Sequence, residues 1–225
     1  MAGILFIISA PSGSGKSTLV AEVRRLVEGL EFSISYTTRK LRGSEVPGRE
    51  YHFISVEQFL EMKERGEFLE WAEVFGNYYG TGRGGLEHAT KEGKDLLLDI
   101  DVQGAVQVIN RAPEAVSIFV VPPSPAVLER RLRNRSQAEG VTDEAVIKRR
   151  LDQAKHELET LDKYKYVLIN DVLDEAVNEL ALIVQFERGE GGEAAAAVAR
   201  RCRTTVYSPH LKDVLHSFEV SGSRV

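Results

Sequence analysis

Cysteine is almost absent from this chain of 225 residues: Cys202 stands alone, so no intramolecular disulfide can form and a hydrophobic core must hold the fold. Long apolar runs are missing too. The opening ILFII is too short for a membrane span and lacks the length and basic flank of a signal peptide. Histidines at 52, 88, 156, 210 and 216 show no paired spacing of the zinc-binding kind, so no protein-ligated structural metal is expected. An excess of positive charge is also lacking. Lys and Arg number 29 against 34 Asp and Glu, a net charge of -5, so nothing draws nucleic acid globally and an anionic ligand must be captured by local arginines and backbone amides. With 43% hydrophobic and 28% charged residues the composition is that of an ordinary globular domain, which excludes a disordered chain. The expectation is a cytoplasmic, enzyme-sized unit with neither a nucleic-acid nor a membrane partner; a monomer and a homo-oligomer are both compatible with the sequence.

What is present alternates between strand and helix patterns. GILFIIS is an unbroken apolar run ending in a glycine-rich turn, as a central parallel strand covered on both faces would be. Leu19, Val23, Leu26 and Leu30 then recur at helical spacing, predicting an amphipathic helix that ends near Gly29. KDLLLDID, SIFVVPP and YKYVLIN read as further buried strands, with helices expected from Pro125 and over DEAVNELALIVQF. Asp99 and Asp101, two apart, are expected on one strand face. Between about residues 33 and 87 the pattern changes to short runs such as FSISYTTR and YHFIS, broken by Gly43 and Pro47 and followed by the helical VEQFLEMKERG. RNRSQAEGVTDEAVIKRR has five cationic residues around a polar turn and reads as a mobile segment leading into a helix near Thr142, while ERGEGGEAAAAVARR and the rest of 188–225 read as a linker and an extension with no assignable chemistry. The fold class is therefore α/β, a parallel-sheet core with helices on both faces, carrying an inserted mixed α+β region.

SAPSGSGKST, Ser9 to Thr18, supplies the first chemistry. Placed between a strand and a helix, such a P-loop offers backbone N–H groups to nucleotide phosphates, with Lys16 countering their charge and the Ser17 hydroxyl reaching magnesium. Ser12, Gly13, Ser14, Gly15, Lys16, Ser17 and Thr18 are the expected ATP contacts. Ala10 replaces the first glycine of GxxxxGK[ST], which is harmless if its φ is negative, whereas a substitution at Gly15 would be damaging. The cradle alone leaves open a nucleotide kinase, a GTPase, an ATP-driven machine or a regulatory module.

The second set of motifs narrows this. SYTTRKLR from Ser35, GREYHF at 48–53, FLEWAEV at 68–74, GNYYGT at 76–81 and LLLDIDVQGA at 96–105, together with APSGSGKS and in this order, closely resemble guanylate kinase over about residues 3 to 187. The resemblance implies phosphorylation of GMP, and of dGMP, by magnesium-bound ATP on a P-loop fold. It implies a catalytic domain over 1–187, with core segments 1–32 and 88–187, a GMP-binding insertion at about 33–87 and a short mobile lid at about 134–146. Guanine offers N1–H and an amino group side by side, a donor pair that one carboxylate can accept and that adenine lacks.

By resemblance Glu70 and Asp101 meet those donors, with Ser35 and Thr81 near O6; Arg39, Arg42, Tyr51 and Tyr79 take the GMP phosphate. Arg135 in the mobile segment and Arg150 after it stabilise charge in flight, with Arg39 and Lys16 also in the catalytic set and Arg131 nearby. Asp99 is expected near Mg2+, directly or through water, alongside Ser17. Asn170 and Asp171 fall near the ATP base, although Val172 stands where relatives often carry a second aspartate. Trp71 and Tyr78 read as packing residues. Two rivals are an interaction module of this fold that has lost catalysis, disfavoured by Lys16, Ser17, Asp99 and the lid arginines, and a kinase for AMP, UMP or a sugar phosphate, disfavoured by Glu70, Ser35 and Thr81.

Overall fold

The structure, a computed structural model, describes residues 3–43, 45–138 and 143–220. In chain order its elements are strand β1 (Leu5–Ser9), helix α1 (Lys16–Leu26), β2 (Leu30–Ser33), β3 (Tyr36–Thr37), β4 (His52–Phe53), α2 (Val56–Glu64), β5 (Phe68–Val74), β6 (Asn77–Gly82), α3 (Arg83–Glu92), β7 (Asp95–Asp99), α4 (Val102–Arg111), β8 (Val116–Val121), α5 (Pro125–Ala138), α6 (Glu144–Leu158), β9 (Tyr166–Ile169), α7 (Leu173–Glu187), α8 (Gly192–Arg201) and α9 (Pro209–Val220). Five strands form a sheet of order β2-β7-β1-β8-β9, and four form a second of order β4-β3-β6-β5. The chain divides into two compact units, Met1–Ile8 with Glu28–Ser117, and Ser9–Val27 with Ile118–Val225.

In the first unit β7 lies between β1 and β2, parallel to both, with Ile8 opposite Asp99 and Ser33 opposite Leu98. The apolar runs of β1 and β7 are buried, as strands covered on both faces must be. FSISYTTR does not form one strand: its first two residues end β2 in the parallel sheet, while Tyr36 and Thr37 pair with Tyr79 and Gly80 in the mixed sheet. Leu30, expected on the first helix, instead opens β2, so α1 stops at Leu26, whose side chain is 64% exposed. The mixed sheet packs around Phe59, fully buried on α2 and stacked against Phe68 and Tyr78. A capping box, Ser55 with Gln58, starts α2. Trp71 meets the edge of the Tyr78 ring and the ammonium of Lys63. α4 is tied to β5 by Gln107 Nε2 donating to the Trp71 carbonyl at 2.7 Å and Arg111 Nη1 to that of Leu69 at 2.6 Å.

In the second unit α1 buries Leu19, Val20 and Val23 and packs against α7, while β8 and β9 pair in parallel. The residues read as a linker and an extension form α8 and α9. Ala195 and Ala199 are fully buried, and their short side chains let α8 lie close on α7, so an alanine-rich stretch here builds core. After α8 the chain turns back along β9: Val167 N donates to the Cys202 carbonyl at 2.8 Å, Thr204 N to that of Lys165 at 3.3 Å, and Arg203 bridges Tyr166 antiparallel. Arg203 also lies over the Tyr166 ring, whose hydroxyl donates to Glu187. Cys202 is buried there, which pushes its thiol up to about 12.

Cutting the chain after Arg188 removes the buried side chains of Val198, Leu211, Val214 and Phe218. At roughly 1.5–3 kcal/mol each, they rival the net stability of about 5–15 kcal/mol of a typical domain. The expected result in differential scanning calorimetry is loss of the cooperative melt. A transition near that of the full chain would show that α8 and α9 are dispensable.

Candidate functional site

In the second unit the loop between β1 and α1 turns on two left-handed glycines, Gly13 at φ 90° and Gly15 at φ 85°. Gly15 is the N-cap of α1, which carries no capping side chain and no acidic residue in its first turn, so its leading N–H groups remain suited to an anion. Ala10 is buried, and Phe75 is the sole non-glycine residue with positive φ among the described residues; the methyl at position 10 is thus accommodated. Lys16 and Ser17 open the helix, Lys16 half-buried, Ser17 and Thr18 exposed.

The loop is gripped from behind. The Ser14 carbonyl accepts from Asn170 Nδ2 at 2.8 Å and from Arg131 Nη1 at 3.2 Å, and Arg131 Nη2 donates to the Asn170 carbonyl at 3.2 Å. Burial and the neighbouring Arg130 lower the Arg131 pKa, partly offset by Asp171, yet an arginine stays cationic at neutral pH. Arg135, read as part of the mobile segment, sits in the last turn of α5, where Nη1 donates to Ser12 Oγ at 3.3 Å. Arg150, on α6, donates to Ser136 Oγ at 3.0 Å. The lid expected over 134–146 therefore begins and ends in helix, α6 being capped by Asp143, and its middle, 139–142, lies outside the described residues. Asn170 is buried, while Asp171 and Val172, just before α7, are exposed.

In the first unit Glu70 on β5 lies directly opposite Thr81 on β6. Glu70 is 2% exposed and Thr81 1%; Thr81 Oγ1 donates to Glu70 Oε1 at 2.6 Å, and Ser35 Oγ lies 3.3 Å from Thr81 Oγ1. Asp99 ends β7, but Asp101 does not continue that strand: it is the N-cap of α4, with Oδ1 accepting from Gln103 N at 2.7 Å and Gly104 N at 3.1 Å. The two-residue spacing misleads because the chain leaves the sheet between them. Gly104, passed over in the sequence, proves to be the floor under Glu70: a Cβ there would stand 2.1 Å from Glu70 Oε2.

Arg39 is buried at 8% exposure and forked onto Glu45, Nη1 at 2.9 Å and Nη2 at 2.8 Å. Thr37 Oγ1 accepts from Arg39 N at 3.2 Å and donates to the Tyr78 carbonyl at 3.0 Å. The Tyr51 and Phe53 rings, next to one another, have their centroids 5.4 and 5.6 Å from Arg39 Cζ, and Tyr51 meets Tyr79 edge-on. Arg42 N donates to Glu45 Oε2 at 2.8 Å. Burial works against a charged Glu45, but hydrogen bonds from Arg39 and Arg42 N prevail and hold its pKa below the ordinary value. Glu45 and Thr37 were also missed, since a glutamate in a turn reads as a solvated charge.

A phosphate cradle of this kind on a parallel α/β sheet, with arginines and a buried carboxylate–hydroxyl string on the other unit, defines a P-loop kinase-type phosphotransferase. The sequence matches the guanylate kinase family over residues 3–187. It is 48% identical over 227 residues to a guanylate kinase of Koribacter versatilis, covering 97% of each chain, and 46% identical over 196 residues to one of Vibrio cholerae, covering 86% of this chain and 93% of that one. The crystal structure of guanylate kinase from Anaplasma phagocytophilum superposes with a TM-score of 0.67 at 34% identity, over 83% of this chain and 86% of that one. The chain belongs to the guanylate kinase family.

Proposed function

We propose that this chain carries out the guanylate kinase reaction, transfer of the γ-phosphoryl group of ATP to GMP, and that the residues of the two sites above divide the work. The observation that carries the acceptor assignment is the buried string Glu70–Thr81–Ser35, a carboxylate and two hydroxyls of the kind needed to read guanine's donor pair and its O6. Asp101 supports the base from the cap of α4. Arg39, Arg42, Tyr51 and Tyr79 receive the GMP phosphate; two arginines and two phenols supply charge and direction to a dianion. dGMP is proposed as a second acceptor, because these contacts address base and phosphate.

On the donor side the amides of Ser12 to Thr18 cradle the ATP phosphates, and Asn170 and Asp171 border the adenine. A GMP phosphate oxygen attacks the γ-phosphorus as the bond to the β-phosphate oxygen breaks; Lys16, Arg135 and Arg150 hold the charge spread over the group in flight. The Ser17 hydroxyl and the Asp99 carboxylate are hard oxygen donors, and among the described residues no three His, Cys, Asp or Glu side chains gather as a protein-built metal site. That donor set fits Mg2+ brought in by ATP phosphates, with Asp99 acting directly or through water. When bound, the ion neutralises phosphate charge. No helix among the described residues is long and apolar enough to cross a membrane, and a cytoplasmic location is proposed, where both nucleotides are found.

Glu70→Ala tests the reading. Loss of one charge-assisted contact of about 1.5–3 kcal/mol should raise the GMP KM by one to two powers of ten while the ATP KM holds. ADP release would be followed with GMP, dGMP, AMP and UMP as acceptors. Equal loss of affinity for ATP, or an unchanged preference for GMP over AMP, would remove Glu70 from base recognition.

A further inference from the structure

We infer that Glu45 is a positioning residue for acceptor-phosphate binding: it grips one end of Arg39 and thereby presents the other edge of the guanidinium to the phosphate. The inference rests on the proposed role of Arg39. A guanidinium carries five N–H donors in a rigid plane, and its two forks are distinct, one made by both Nη atoms and one by Nε with Nη2. Glu45 occupies the first fork, and Arg39 Nη1 spends its other proton on the Lys40 carbonyl at 2.6 Å. Arg39 Nε is buried and has no hydrogen-bond partner among the described residues. Leaving a buried, charged N–H unmet is costly, so its position marks where an anion belongs.

The surroundings fix the plane. The fork to Glu45, the Lys40 carbonyl on Nη1 and the adjacent rings of Tyr51 and Phe53 leave the guanidinium little freedom to turn. Tyr79, a second proposed phosphate contact, interacts with Arg39 as well. Glu45 also orders the turn bearing Arg42 by accepting its backbone N–H, so one carboxylate sets both arginines of the acceptor site. It does so before any dianion arrives, and the reorganisation otherwise needed on binding is reduced.

Equilibrium binding of GMP, and of guanosine as a probe with base and sugar but no phosphate, would be measured on the full chain for the wild type, Glu45→Ala, Glu45→Gln, Arg39→Ala and the Arg39→Ala/Glu45→Ala pair. Glu45→Ala is expected to weaken GMP at least about tenfold and guanosine by less than about twofold, with the ATP KM unmoved. Glu45→Gln, which keeps the shape and one acceptor, should fall between. In the Arg39→Ala background, removing Glu45 should cost little more. Parallel loss of GMP and guanosine would mean that Glu45 merely holds the fold, and would sink the inference. So would unchanged GMP binding in both Glu45 variants beside a weakened Arg39→Ala, which leaves the phosphate role of Arg39 standing. Unchanged GMP binding in Arg39→Ala would overturn that role itself and the inference with it.

Discussion

Lys16→Ala is expected to lower GMP-dependent ADP formation by about 10²–10³-fold, the usual effect of removing one preorganised group aimed at charge developing in the transition state. Lys16 is the first residue of α1, half-buried, and its ammonium is the single cationic side chain within the cradle sequence itself. The backbone amides of the loop survive the change, so ATP binding should weaken far less than turnover falls. The folded state should be indifferent, because the first turn of α1 is held by Leu19 N bonding to the Gly15 carbonyl and by the buried Leu19 and Val20. Rapid-quench single-turnover assays with GMP, paired with a thermal melt, separate the two effects. Turnover at the wild-type rate would take Lys16 out of the mechanism.

Gly15→Ala is the second large effect, and it arises from geometry. At φ 85° an L-residue pays about 1–2 kcal/mol, and the new Cβ would stand 2.5 Å from Asn170 Nδ2. That amide is the one holding the Ser14 carbonyl, so relief of the clash must loosen the loop from its support. The ATP KM is expected to rise more than about tenfold while GMP binding measured without ATP stays as it was. Gly48→Ala is the control: φ is 78° there as well, but nothing lies within 4 Å of the added Cβ. If both variants lowered ATP affinity alike, backbone strain and not the Asn170 contact would be the cause.

Much of this was legible because phosphate chemistry constrains sequence tightly. A strand, a glycine turn, Lys16 and Ser17 must follow one another in the chain, and the short apolar runs within β1, β7 and β8 could be little else than covered strands. The rest depended on partners distant in sequence. Nothing in FSISYTTR says that its backbone changes sheets after Ser33, since alternation reports faces and not neighbours. Asp101 reads as strand until α4 is seen to start there. Arg135 is flanked by polar residues on all sides, which hides that α5 runs on to Ala138. Glu45 and Gly104 carry no signal of their own; each matters through one side chain, Arg39 in the first case and Glu70 in the second, that the fold sets beside it.

β9 is the outermost strand of its sheet, and the chain segment pairing along it comes from residues 202–204. On the ribosome, β9 is therefore made some forty residues before its covering segment, and domains complete cooperatively as synthesis proceeds at about 5–20 residues per second. For those seconds the strand has open backbone donors and acceptors, the template on which nascent chains pair with one another. A chain in which residues 202–204 have come away from β9 thus carries an open strand edge on which a second copy can pair.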